Sequence, residues 1–347
     1  MKRVSKSQLL KQVGSLSQVA GVRNVEFCSG KAKGVQALEV YNMAGLRFTV
    51  LPDKCMDILD LSYKGVNLGF TAKNGIVGNK FFNALGNEFL YNWNAGMLYT
   101  CGLANTGAAN EDGGLYMTEH GRIGFAPAEN FSISEGWQGE NYSISLSGRM
   151  SESMIYGSHL RLTRKITMGL NDKKIVIEDT LENLEPKNEE FMLLYHINFG
   201  YPLVEDGAKV IVSQSRTLAR TKMSEEDLDH WDDIGKPVDD YQEQVFYHVN
   251  DNNTSTASAA VINQERGLGA YISYSSDTLP VLVHWKSMRS HDYTIGLEPS
   301  NSYIMGRHDE RINGTLQTIA GYGQLRYRVE IGVLDGESEI NTFKDNI

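Results

Sequence analysis

His159-Leu-Arg-Leu-Thr-Arg-Lys-Ile-Thr-Met-Gly-Leu-Asn-Asp-Lys-Lys-Ile-Val-Ile-Glu-Asp-Thr-Leu181 reads as two β-strands and the turn between them. Polar and apolar residues alternate from His159 to Thr167 and again from Lys174 to Leu181. A period of two puts every second side chain on the same face of a sheet. Gly169-Leu-Asn-Asp-Lys in between supplies a short turn containing Gly and Asn. The same period recurs in Lys209-Val-Ile-Val-Ser, Ala270-Tyr-Ile-Ser-Tyr and Leu325-Arg-Tyr-Arg-Val-Glu-Ile. The 34 glycines are dispersed between such runs, and the 7 prolines leave most strands unbroken. Many short strands separated by turn signals predict an all-β sandwich or barrel.

Helical patterns are few. Ser5 to Ala20 predicts a short N-terminal helical segment around Leu9, Leu10 and Val13. Ser224-Glu-Glu-Asp-Leu-Asp-His-Trp offers a serine cap, acids in the first turn and Leu228 and Trp231 three apart. Neither is long enough for the crossover helices of a parallel sheet. There is no repeat, low-complexity linker or composition break, so residues 1–347 are expected to form one domain. The acidic stretch Glu225 to Asp240 reads as an insertion or lid between strands.

Composition narrows the partners. The formal net charge is -10 and the pI is about 5.4. A global acidic balance with no basic patch argues against nucleic acid or an anionic membrane. The basic Met1-Lys-Arg-Val4 is followed by polar residues, so no secretory signal is expected. No window approaches the roughly 18 apolar residues of a membrane span. Cys28, Cys55 and Cys101 are too few and too scattered for a disulfide framework or a CxxC metal motif. A cytoplasmic protein with reduced thiols and a small-molecule partner is the expectation.

Strong polar side chains inside apolar, strand-like sequence point to chemistry, because burying them is costly unless they are used. His196 lies inside Met192-Leu-Leu-Tyr-His-Ile-Asn-Phe-Gly-Tyr-Pro. An imidazole suits proton transfer near neutral pH, although a core histidine bonded to a carbonyl fits as well. Glu298 closes the apolar run in Tyr293-Thr-Ile-Gly-Leu-Glu-Pro-Ser. Pro299 predicts the strand end there, which leaves the carboxylate facing a cleft or exposed at a turn. Glu119-His-Gly-Arg-Ile-Gly groups His120 and Arg122 with two glycines, as a loop approaching a ligand would. Leu282-Val-His-Trp-Lys-Ser sets Trp285, a stacking face, beside Lys286, a donor for hydroxyls. The histidines show no HxH, HxxxH or HExxH spacing, so no metal site is expected from local motifs.

In chain order these pieces resemble the aldose 1-epimerase (galactose mutarotase) superfamily, and most closely its aldose 1-epimerase-like bacterial branch. The matches are His120-Gly121, Asn183 in Asp179-Thr-Leu-Glu-Asn, His196 in Tyr-His-Ile-Asn-Phe, Glu243 in Glu-Gln-Val-Phe and Glu298 in Gly-Leu-Glu-Pro. Arg47-Phe-Thr-Val-Leu-Pro-Asp-Lys-Cys-Met-Asp, Tyr99-Thr-Cys-Gly-Leu, Trp285-Lys286 and Arg328-Val-Glu-Ile-Gly-Val-Leu-Asp-Gly are similar to the branch's own motifs. The likeness runs from about residue 25 to 336. It implies a large galactose-mutarotase-like β-sandwich, a supersandwich. The family's early arginine has no match; that segment reads Leu90-Tyr-Asn-Trp-Asn-Ala-Gly.

The resemblance implies anomer exchange without any cofactor. Glu298 would take the C1 hydroxyl proton and His196 would protonate the ring oxygen, with His120 holding oxygens of the sugar. Arg122, Glu243, Trp285, Lys286 and Arg307 complete the expected substrate contacts. The three basic residues leave neutral, acidic and phosphorylated sugars open as substrates. A homodimer is one assembly such a chain could adopt. A non-catalytic sugar sensor and a metal-assisted sugar isomerase or epimerase are the rival classes, since fold alone does not decide function.

Overall fold

The computed structural model describes residues 5–213, 216–250 and 254–347; the basic Met1–Val4 stretch lies outside them. The predicted hairpin is present. His159–Gly169 and Lys174–Asn183 pair antiparallel, with Leu162 opposite Leu181 and Ile166 opposite Ile177. They belong to an eight-stranded sheet ordered Lys209–Val212, Thr256–Asn263, Leu268–Ser275, Gln324–Asp335, Lys174–Asn183, His159–Gly169, Asn141–Ser153, Glu129–Gln138. Burial alternates along its hairpin strands, so one face packs inward and the other meets solvent.

A second sheet runs in the order Arg216–Ala219, Gln244–Val249, Val281–Arg289, Asp292–Ser300, Glu189–Phe199, Gln317–Ile319. Tyr99–Leu103 also pairs with Glu189–Phe199. Its central strands do not alternate: every residue from Phe191 to Phe199 is buried. Such a sheet needs apolar cover on both faces. On one face Leu193, Tyr195, Ile197 and Phe199 enter a large core with Leu162, Ile166, Ile177 and Val329 of the eight-stranded sheet. A five-stranded sheet, spanning Gly21–Glu26 to Val66–Asn67, adds Phe48 and Ile58 to that core. On the other face Leu194, Val245, Tyr247 and Val283 form a smaller cluster with Phe89, Tyr99, Phe125 and Ile304. With 49% of the chain in strands and 13% helical, the fold is an all-β sandwich.

Both helical expectations meet a helix, one with a shifted start. Ser5 caps Lys6–Leu10 in a capping box with Gln8. The second helix spans Lys222–Glu226 and is capped by Thr221 instead of Ser224. Threonine serves as an N-cap acceptor too, and the Ser224 hydroxyl is occupied in accepting from the Val245 amide. The acidic stretch that follows is fastened to the sheet. Trp231 packs on His248 with ring centroids 4.6 Å apart, and the Tyr293 hydroxyl donates to the Gly235 carbonyl. Among the described residues no helix is long and apolar enough to cross a membrane.

Candidate active site

Strand register builds the centre of the site. Glu189–Phe199 and Asp292–Ser300 are antiparallel, with Leu194 opposite Ser300 and Ile197 opposite Leu297. That register sets His196 directly across from Glu298. Both point to the face carrying Leu194 and Val283, away from the main core. Nδ1 of His196 lies 3.2 Å from Oε1 of Glu298. The two atoms are sealed from solvent but too poorly aligned for a hydrogen bond, so Nε2 and Oε2 are left to a ligand. The strand runs one residue past Pro299, to Ser300. As the next-to-last residue, the proline forfeits only its own ladder bond.

Aromatic rings wall the pair. Trp93 and Trp285 lie 5.1 and 5.6 Å from the His196 ring and 5.7 Å from each other. The Trp285 indole N–H donates to Oε2 of Glu243 at 2.8 Å, which fixes the ring's orientation. Gly296 is opposite Trp285 and two residues before Glu298. A Cβ there would come within 2.4 Å of the Glu298 carboxyl, so the glycine makes room for it.

His120 reaches the same place from a loop. Its φ of +54° is followed by +76° at Gly121. A Cβ on Gly121 would sit 2.0 Å from the Gly102 carbonyl, so only glycine fits. Amide bonds from Gly102 to the His120 carbonyl and from Arg122 to the Gly102 carbonyl clamp the turn. The His120 ring comes to 5.6 Å from that of His196 and packs on Phe89. Nδ1 of His120 accepts from the Gly107 amide, which leaves Nε2 to carry the proton.

Burial dominates the electrostatics. It pushes the Glu298 carboxyl well above its ordinary range, aided by Glu243 and opposed by Arg220. Burial and the neighbouring His120 hold His196 well below 6.5. His120 is lowered to about 4 by burial and by Arg220. The cleft's own residues therefore favour a protonated Glu298 and neutral histidines.

The sequence-predicted residues separate into three groups. His196, Glu298, His120, Trp285 and Glu243 converge on the cleft. Lys286 is buried on the opposite face from Trp285, where its ammonium meets Asp227 at 2.9 Å and the His230 carbonyl at 2.8 Å. Arg307 is buried and bonded to Asp112, Glu190 and the Ala104 carbonyl. It and the exposed Arg122 line a separate cavity of about 1030 Å³ with Glu152, and no residue of the acid–base cleft lines that cavity. Asn183 is buried at the end of its strand, donating to the Lys187 and Ala320 carbonyls. Trp93 and Arg220 escaped sequence reasoning. Trp93 stands in the segment that replaces the early arginine. The signal for Arg220 was its position two residues after Leu218, in phase with that cleft-side leucine.

Among the described residues no three His, Cys, Asp or Glu side chains converge as metal ligands. Residues 32–333 match the family described as "Domain of unknown function (DUF4432)". No curated protein matches the chain by sequence. A Klebsiella pneumoniae protein named "putative aldose 1-epimerase" superposes with a TM-score of 0.90 at 23% identity, over 99% of this chain and 90% of that one. A galactose mutarotase-like protein from Clostridium acetobutylicum gives 0.63 at 12% identity, over 92% and 99%. A galactose 1-epimerase from Lactobacillus acidophilus gives 0.55 at 12% identity, over 92% and 100%. At these identities the likeness establishes the fold.

Proposed function

Because the chain belongs to the DUF4432 family and carries the galactose-mutarotase fold, we propose that it is an aldose 1-epimerase-type isomerase that exchanges sugar anomers. The observation that carries this reading is the His196–Glu298 pair, 3.2 Å apart at the floor of an aromatic-walled cleft. Anomer exchange needs one acid and one base around a single carbon. The pair supplies both by sharing one proton.

The raised carboxyl and the lowered imidazole place that proton on Glu298 before sugar binds. Moving it to His196 gives carboxylate and imidazolium with the same proton count. Sugar hydroxyls and the charge of Arg220 favour this charged form, since both stabilise the carboxylate. Glu298 then takes the C1 hydroxyl proton while His196 protonates the ring oxygen, and the C1–O bond of the ring breaks. The C1–C2 bond of the open aldehyde rotates, and the reverse transfers close the ring to the other anomer. His120, neutral and donating through Nε2, holds a sugar oxygen. Trp285 and Trp93 pack on the sugar's C–H face. Positioned acid and base groups contribute about 10²–10⁴-fold each.

The test is saturation-transfer NMR of anomer exchange on neutral, acidic and phosphorylated sugars. Exchange above the buffer rate for at least one aldose is expected. Exchange at the buffer rate for all of them refutes the reading.

A further inference from the structure

Arg220 follows the edge strand Arg216–Ala219, and its amide still donates to the Val245 carbonyl at 3.0 Å. Val245 is opposite Trp285. Leu218, two residues earlier, packs into the cleft-side cluster of Val245, Tyr247 and Val283. Strand parity therefore aims Arg220 to the same side. Its charge is felt at both His120 and Glu298. Yet among the described residues its guanidinium has no hydrogen bond and no ion pair. The other basic residues near the matched motifs are elsewhere: Lys286 and Arg307 are bonded within the protein, and Arg122 faces the separate cavity. Arg220 is half-buried, and its guanidinium, five donors without an acceptor in the protein, stays accessible to a ligand that supplies one.

We propose that Arg220 binds the carboxylate of an acidic aldose, so that the cleft takes a uronic-acid-type sugar. This rests on the reading of the cleft as a sugar site. The planar guanidinium fork matches a carboxylate in bidentate fashion. A single negative charge is preferred to a phosphate dianion because Glu243 and Glu119 also face this region. Burial and the charge of Glu243 both raise the Glu119 carboxyl. Repulsion from the two acids grows with each negative charge on the ligand, so a monoanion paired with Arg220 is held better than a dianion.

The experiment compares D-galacturonate, D-glucuronate, D-galactose, D-glucose and D-galactose 6-phosphate. Anomer exchange is measured by NMR and binding by calorimetry, for the wild type, Arg220→Gln and Arg220→Lys. Charge-assisted pairing predicts a kcat/KM for a uronate at least about tenfold above its neutral hexose. Arg220→Gln brings the ratio to about one, Arg220→Lys keeps part of it, and the phosphate falls below the uronate. A neutral hexose equal to or better than its uronate overturns the proposal, as does a uronate preference that survives in Arg220→Gln. If the wild type exchanges no sugar, the isomerase reading falls and binding decides Arg220 by itself. Uronate binding weakened about tenfold or more in Arg220→Gln then supports it, and absent uronate binding rejects it.

Discussion

Tyr195 and His196 are neighbours on one strand and belong to two opposite kinds of buried polar cluster. On the core side, Arg164 is 0% exposed and donates to both Asp179 oxygens, to Asp57 and to the Cys55 carbonyl. The Tyr195 hydroxyl donates to Asp179, and Thr100 gives Asp57 both its amide and its hydroxyl. Arg164, Asp57 and Asp179 all have bonded partners, although burial still pushes the Asp57 carboxyl up to about 6. On the cleft side, His196 and Glu298 meet without a hydrogen bond. Burial alone does not mark a functional site. Bonded ionic groups hold the sheets together, whereas groups left incomplete are available to a ligand.

The sharpest test of this contrast is Glu298→Gln, which keeps the shape and removes the proton exchange. Anomer exchange should fall by about 10²–10⁴-fold, with the melting temperature unchanged or raised. Full activity in the variant would end the acid–base assignment.

Arg164→Leu should show the reverse pattern. It leaves Asp57 and Asp179 buried without their cation, which costs about 3–5 kcal/mol, read as a lower urea midpoint. A midpoint equal to the wild type would mean that the inner cluster is not structural, and the contrast would dissolve.

Gly296→Ala probes the space beside the cleft. The added methyl meets the movable end of Glu298, so the carboxyl should shift while the sheet survives. A displacement of that kind is expected to lower kcat by roughly 10²-fold or less. A crystal structure of the variant with Glu298 unmoved and activity intact would contradict it.

The pH profile is the mildest perturbation. The singly protonated pair exists above the lowered value of His196 and below the raised value of Glu298. The acid limb of kcat/KM should therefore lie below the ordinary histidine value of 6.5, and the alkaline limb well above the carboxylate value of 4.5. An acid limb centred on an unshifted histidine would show that the free cleft does not hold His196 neutral.

The amino-acid sequence by itself determined the all-β class, because a period of two is a property of the local backbone and is written residue by residue in His159–Leu181. It also singled out His196 and Glu298, since each interrupts an apolar run. Their partnership was a matter for tertiary structure: residues about a hundred positions apart meet only through the register of two antiparallel strands. Trp285 and Lys286 make the same point in reverse. Adjacent in sequence, both were candidates for the cleft, and the pleat sends them to opposite faces of the sheet. Arg307 carries no local mark separating a sugar contact from a bond to Asp112, which comes from a strand nearly two hundred residues earlier. Trp93 and Arg220 lie in segments without a decisive local pattern, and only the packing of the loop and the edge strand around the sheet brings them beside the acid–base pair.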